Sequence, residues 1–167
     1  MPIRIVNGDL LESKAQVLAH QTNCSKGFGT GVAGAIKNKW PLVAEEHRLA
    51  CIINEGSGLK PSEMLGLIQA VKVSDSLTDK QDKYVVNMYA QENYGYDGRK
   101  YTSYDALDTC LSKLVTFCKE KGIKTVAFPY GMSSVRGGAN WDVVMALINA
   151  HFGETDIDVE VRKLDVA

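Results

Sequence analysis

Residues 15–31 read AQVLAHQTNCSKGFGTG. Ala15 to Thr22 is a mostly apolar run, the pattern of a strand buried on both faces. Glycines at 27, 29 and 31 interrupt it, and beyond them Val32, Ala33, Ile36 and Trp40 recur at helical spacing. Strand, glycine loop and helix in that order form the start of a βα unit. A parallel sheet with helices packed on its faces is therefore the expected architecture.

The flanking sequence extends the pattern. Ile3 to Val6 reads as a strand ending at Asn7-Gly8-Asp9, where Asp9 suits the cap of a short helix. Pro41 breaks or restarts the first helix, and residues 41–54 continue helically to the Gly56-Ser57-Gly58 loop. Residues 64–73 predict a strand, 74–83 a polar connection, and 83–91 (KYVVNMYAQ) a central strand rich in β-branched and aromatic residues. From Ser103, the positions Leu107, Leu111, Leu114, Val115 and Cys118 mark one helical face closed by Gly122. A strand at 124–129, a loop at 130–140, a helix carrying Trp141, Val144, Leu147 and Ile148, and an alternating strand at 157–164 complete the chain. The expectation is a single domain over 1–167 of the α/β class, a three-layer α/β/α sandwich with a mixed, mostly parallel sheet.

Composition narrows the function classes. The 167 residues carry a formal net charge of −1, which disfavours duplex nucleic acid as a partner. No run reaches membrane-spanning length and the N-terminal residues lack a signal-peptide core, so a cytoplasmic protein without membrane contact is expected. Cys24, Cys51, Cys110 and Cys118 form no CxxC pair, and with three scattered histidines no metal-site spacing arises. Reduced thiols are expected, with Cys110 and Cys118 on one buried helix face.

Three loops at the expected carboxyl ends of strands carry unusual composition: Gly8-Asp9, residues 20–31, and Tyr130 to Asn140. Two are glycine-rich and run into helices, where approachable backbone N–H groups and the helix dipole favour an anion. Two facing loops suit a diphosphate. Neither GxGxxG nor GK[ST] occurs, so a dinucleotide-dependent oxidoreductase is a poor reading. His20, at the end of its strand, is either a general acid/base or a hydrogen-bonded structural group. Cys24 has no identifiable base partner and reads as a packing residue. Asn23 either reads sugar hydroxyls or closes its own loop. Trp40 and Trp141 read as core. Tyr94, Tyr96, Tyr101 and Tyr104, with Arg99 and Lys100, form either a rim or a self-packed loop.

Taken together, Gly8-Asp9-Leu10, HQTNC (20–24) with Gly27, Gly29 and Gly31, YGYDGRKYTSYDAL (94–107), and the Pro129-to-Trp141 loop resemble the macro domain family of ADP-ribose-binding modules. The similarity runs from Ile3 to Leu164 and is nearest to the branch of ADP-ribose-1″-phosphate phosphatases and terminal ADP-ribose–protein glycohydrolases, which has phage and bacterial members. The resemblance implies that Asp9 bonds the adenine amino group beside the Leu10 backbone and that Asn23 reaches the distal ribose. It implies that Gly29, Thr30, Gly31 and Val32 wrap the diphosphate and the distal ribose from one side. Gly131, Met132, Ser133, Ser134, Val135 and Arg136 would close from the other.

The same resemblance assigns acid/base assistance to His20. The strand lysine and late-loop aspartate of the glycohydrolases have no counterpart, since Asn87, Met88, Tyr89 and Gln91 occupy that strand and Gly137 and Gly138 that loop. Met132-Ser133-Ser134 replaces the branch's usual GCG. Hydrolysis of ADP-ribose 1″-phosphate without metal or cofactor is the expected activity. The alternatives are a non-catalytic module for free or protein-linked ADP-ribose and a glycohydrolase without the usual pair.

Overall fold

A computed structural model describes residues 3–28, 31–75, 77–92, 102–132 and 138–164. Six strands form one sheet: β1 (Ile3–Asn7), β2 (Val17–Asn23), β3 (Ile68–Lys72), β4 (Tyr84–Gln91), β5 (Thr125–Pro129) and β6 (Asp158–Lys163). Their order is β1-β6-β5-β2-β4-β3. All neighbours are parallel except β3, which pairs antiparallel with β4 at one edge. This is the mixed, mostly parallel sheet expected, and the described residues also form the α-helices α1 (Gly31–Lys39), α2 (Pro41–Gly56), α3 (Tyr104–Lys121) and α4 (Trp141–Phe152).

Side-chain alternation assigns the helices to two layers. Val17, Ala19, Val86, Met88, Val126, Phe128, Val159 and Val161 pack against Leu107, Leu111 and Leu114 of α3 and Val144, Ile148 and Phe152 of α4. On the opposite face Leu18, Val85 and Ala127 meet Ile36 of α1 and Val43 and Ala44 of α2, with Phe28 among them. Cys110 and Cys118 do share the buried face of α3, and all four cysteines are free thiols.

The helix ends follow from their sequences. Ser103 Oγ accepts the Ala106 N–H at the start of α3, Gly122 closes it in the left-handed region, and Asn140 Oδ1 accepts the Asp142 N–H at the start of α4. Pro41 sits at the first turn of α2, where its missing N–H costs nothing. One boundary differs from the sequence reading. Met64 belongs to a 3-10 turn (Pro61–Met64), so β3 starts only at Ile68. Trp40 and Trp141 are half-buried, each packed against one of the two core clusters, as their reading as core residues expects. Among the described residues no helix is long and apolar enough to cross a membrane.

Candidate functional site

Because β1, β6, β5, β2 and β4 run parallel, their carboxyl ends share one edge of the sheet, where ligands bind in open α/β folds. Asp9 lies two residues beyond β1, Asn23 ends β2, and Gly131 lies two residues beyond β5. The span from β1 to β2 crosses three strand spacings, about 14 Å, which suits an extended ligand.

The Asp9 end is built on one turn. Asp9 is exposed, and its Oδ1 accepts the Leu11 N–H at 3.0 Å, capping the turn Leu10–Glu12 while Leu10 is buried beneath it. Gly8 donates its N–H to the Lys163 carbonyl at 3.0 Å. Its φ is +142°, and a Cβ there would lie 2.7 Å from Arg162 Nη1. The Arg162 head can swing aside, but the backbone conformation cannot be kept cheaply by an alanine. Gly8→Ala is expected to cost about 1–3 kcal/mol, read as a lower urea midpoint with unchanged slope. An unchanged midpoint would mean the turn relaxes without strain.

The glycine loop after β2 is fastened at several points. Asn23 Nδ2 donates to the Gly27 carbonyl at 3.0 Å and Oδ1 accepts the Ser25 N–H at 2.9 Å, so of its two roles the loop-closing one is realised. The β2–β4 register slips between Thr22 and Asn23, a bulge of the kind that re-aims a strand end. Cys24 N–H and Ser25 Oγ both donate to the Glu92 carbonyl, at 3.2 and 2.7 Å. Lys26 adopts φ 67°, held between the two bonds of Asn23. Gly31 starts α1 at φ 59°, and Val32 is exposed at 39% instead of facing the core. Gly29 and Thr30 lie outside the described residues.

On the facing side, Gly131 has φ 76° and Met132 is buried, while Ser133, Ser134, Val135 and Arg136 lie outside the described residues. The Tyr130 ring packs 4.9 Å from the Trp141 ring, with Lys163 Nζ 4.8 Å from its centroid. Tyr104 accepts the Asn140 N–H at 2.9 Å, joining the starts of α3 and α4. Tyr94, Tyr96, Arg99, Lys100 and Tyr101 lie outside the described residues.

His20 is in the middle of β2, not at its end, and is 2% exposed on the α1/α2 face. Its Nε2 lies 2.6 Å from Asn87 Oδ1 on β4. Phe28 meets the His20 ring edge-on at 5.5 Å and the His47 ring at 5.1 Å. His47 stacks on Tyr89 with centroids 5.4 Å apart. Phe28 is thus held between two imidazoles, one residue before the glycine cradle continues.

The family's Macro domain pattern matches residues 19–148. The chain belongs to the macro domain family. Over 159 residues it is 23% identical to an uncharacterized 17.5 kDa protein of phage T4, with 94% of each chain covered. It is 25% identical over 156 residues to the DNA ADP-ribosyl glycohydrolase of Mycobacterium tuberculosis. That match covers 93% of this macro domain but 40% of the relative, so this chain spans well under half of that enzyme. The structure of Thermosipho africanus DarTG in complex with ADP-ribose superposes with a TM-score of 0.74 at 21% identity, covering 96% of this chain and 41% of the other. At that identity the likeness establishes the fold.

Electrostatics of this macro domain's interior favour neutral groups. Burial pushes the His20 imidazole down to about 4, against a smaller opposing effect of its Asn87 hydrogen bond. Burial likewise lowers His47 to about 4. The Cys24 thiol is raised to about 12, chiefly by burial and then by Cys51 and Glu92, so it is no thiolate nucleophile at neutral pH. Among the described residues no group of three His, Cys, Asp or Glu side chains could hold a metal ion. A groove of about 270 Å³ beside the Leu10–Glu12 turn is lined by Glu12, Lys14, Thr125, Asp158, Glu160 and Arg162. Within it Glu160 pairs with Arg162 and accepts from Ser13, and Asp158 pairs with Arg4.

Sequence reasoning missed Phe28, His47, Asn87 and Gln69. His47 had a signal: Val43, Ala44, His47 and Cys51 recur at helical spacing, which places the imidazole on the buried face of α2. Phe28 was hidden by the glycines on either side of it.

Proposed function

We propose that the chain binds ADP-ribose along the crevice over the carboxyl ends of β1, β5 and β2, and hydrolyses an ADP-ribose derivative there. ADP-ribose 1″-phosphate is the first substrate expected. The observation that carries this reading is the placement of Asp9, Asn23 and Gly131 at one sheet edge, with left-handed glycine backbone at Gly31, which opens α1, and at Gly131. Asp9 then takes the adenine end with its second carboxylate oxygen, and the N-terminus of α1 takes the diphosphate. In the hydrolytic step water attacks the phosphorus and an imidazole accepts the water proton. The P–O bond to the ribose breaks, the departing 1″ oxygen taking that proton back from the imidazolium to give ADP-ribose and phosphate. His20, neutral down to about pH 4, is in its base form at pH 7. A reduced, cytoplasmic setting suits the four free thiols.

A second reading, recognition without turnover, is favoured by two observations. His20 is almost wholly buried, and β4 offers no lysine. Calorimetric titration with ADP-ribose, run beside phosphate release from ADP-ribose 1″-phosphate and release of ADP-ribose from modified DNA and protein, separates the readings. Turnover should be flat through pH 6.5, where an ordinary imidazole would titrate, and His20→Ala should abolish it. Binding without any release supports the reader, and absence of ADP-ribose binding removes both.

A further inference from the structure

We infer that Gln69, on the edge strand β3, is a positioning residue that orders the protons on both buried histidines through one unbroken set of hydrogen bonds. Its starting point is a main-chain atom. Gln69 Nε2 lies 2.9 Å from the Glu46 carbonyl of α2, and a carbonyl can only accept. The amide is therefore oriented with nitrogen toward α2 and Oε1 inward. Oε1 accepts from Asn87 Nδ2 at 2.9 Å and from the Tyr89 hydroxyl at 3.2 Å.

Each of those bonds settles the next. Asn87 donates with Nδ2, so the atom facing His20 is Oδ1, an acceptor, and His20 Nε2 carries the ring proton. Nδ1 is then the lone-pair nitrogen, through which His20 meets any ligand as an acceptor or base. The Tyr89 proton is committed to Gln69, so the phenol oxygen accepts from His47 Nδ1 at 3.1 Å. His47 Nε2, left with its lone pair, accepts the Cys51 thiol proton at 3.9 Å. The two imidazoles are held in opposite tautomers, His20 as Nε2–H and His47 as Nδ1–H. Each polar side-chain atom of Gln69, Asn87, Tyr89 and His47 takes part in one of these bonds, and no buried side-chain N or O among the described residues lacks a partner, which favours a single ordered arrangement.

The assignment is independent of the ligand reading: a chain that never bound ADP-ribose would keep the same tautomers. Long-range proton–nitrogen NMR of the ¹⁵N-labelled full chain at pH 7 reports them directly. Wild type should show His20 as Nε2–H and His47 as Nδ1–H, each favoured at least about tenfold, the ratio one net hydrogen bond sustains. In Gln69→Leu, the Asn87 amide loses its orienting partner and both ratios should move toward even. In Tyr89→Phe, His47 alone should change and His20 should stay Nε2–H. A wild-type His20 proton on Nδ1 overturns the inference, as does a folded Gln69→Leu with both ratios unchanged. Should that variant not fold, equal disturbance of both rings by Tyr89→Phe is also a refutation.

Discussion

Lowering the pH from 7.5 to 4.5 is expected to remove on the order of 5 kcal/mol of folding stability, most of it above about pH 5 and so ahead of the ordinary carboxylates. The cause is the pair of buried imidazoles. His20 and His47 are neutral in the folded chain, with proton affinities pushed down to about pH 4, while in the unfolded chain they titrate near 6.5. Between those values the unfolded state binds more protons, so stability rises with pH. The contribution is complete above about pH 6.5 and is lost as pH falls toward 4. Glu45 and Asp156 act in a lower window, because Arg48 and Lys124 hold them below the usual carboxylate range and both are exposed. Against a total of roughly 5–15 kcal/mol for an ordinary domain, the histidine contribution is large enough to unfold the chain. Urea midpoints at pH 7.5, 6.0, 5.0 and 4.5 measure it. His47→Phe, which fills the site without titrating, should halve the slope. A wild-type midpoint that is flat over this range contradicts the assignment of neutral, buried rings.

Phe28→Ala is expected to destabilise the fold by about 3–5 kcal/mol and to weaken the proposed ADP-ribose binding as well. Phe28 is 7% exposed, packs in the α1/α2 core cluster, and makes ring contacts with His20 and His47. Truncation leaves a cavity between the two imidazoles and loses aromatic contacts worth about 0.5–1.5 kcal/mol each. It also frees the last anchored residue before Gly29. Phe28→Leu, which keeps most of the volume, should recover most of the stability but less of the affinity, because the ring contacts are still missing. Midpoints by urea and affinities by calorimetry, taken on the same three proteins, test this. An alanine variant with a midpoint within about 0.5 kcal/mol of wild type would show that Phe28 is not an anchor.

The fold was legible where periodicity was unambiguous. The alternation in Val159 and Val161, the seven- and four-residue spacings of α3, and the apolar run of β2 each have one physical solution. β3 was assigned no direction from sequence, although a ten-residue polar connection without a helix is too short for a parallel crossover and favours the antiparallel pairing found. At the site, the loop glycines and Asp9 announced themselves through composition. The interior polar set did not: Asn87 and Gln69 look like interruptions in apolar strands, and only the pairing of Gln69 with Asn87 across β3 and β4 shows that they answer each other. Asn23 presented both of its roles in sequence. Its bonds to Gly27 and Ser25 became visible only with the loop folded.

The four cysteines give this molecule a pair of built-in clocks. Cys24 and Cys51 are sealed together on the α2 side of the sheet, Cys110 and Cys118 in the α3 layer on the other. Burial holds Cys24, Cys110 and Cys118 near 12 and raises Cys51 too, so none reacts appreciably while its layer is closed. Alkylation of each pair therefore times the opening of its own layer, and comparing the two rates tells whether the halves of the sandwich breathe together or apart.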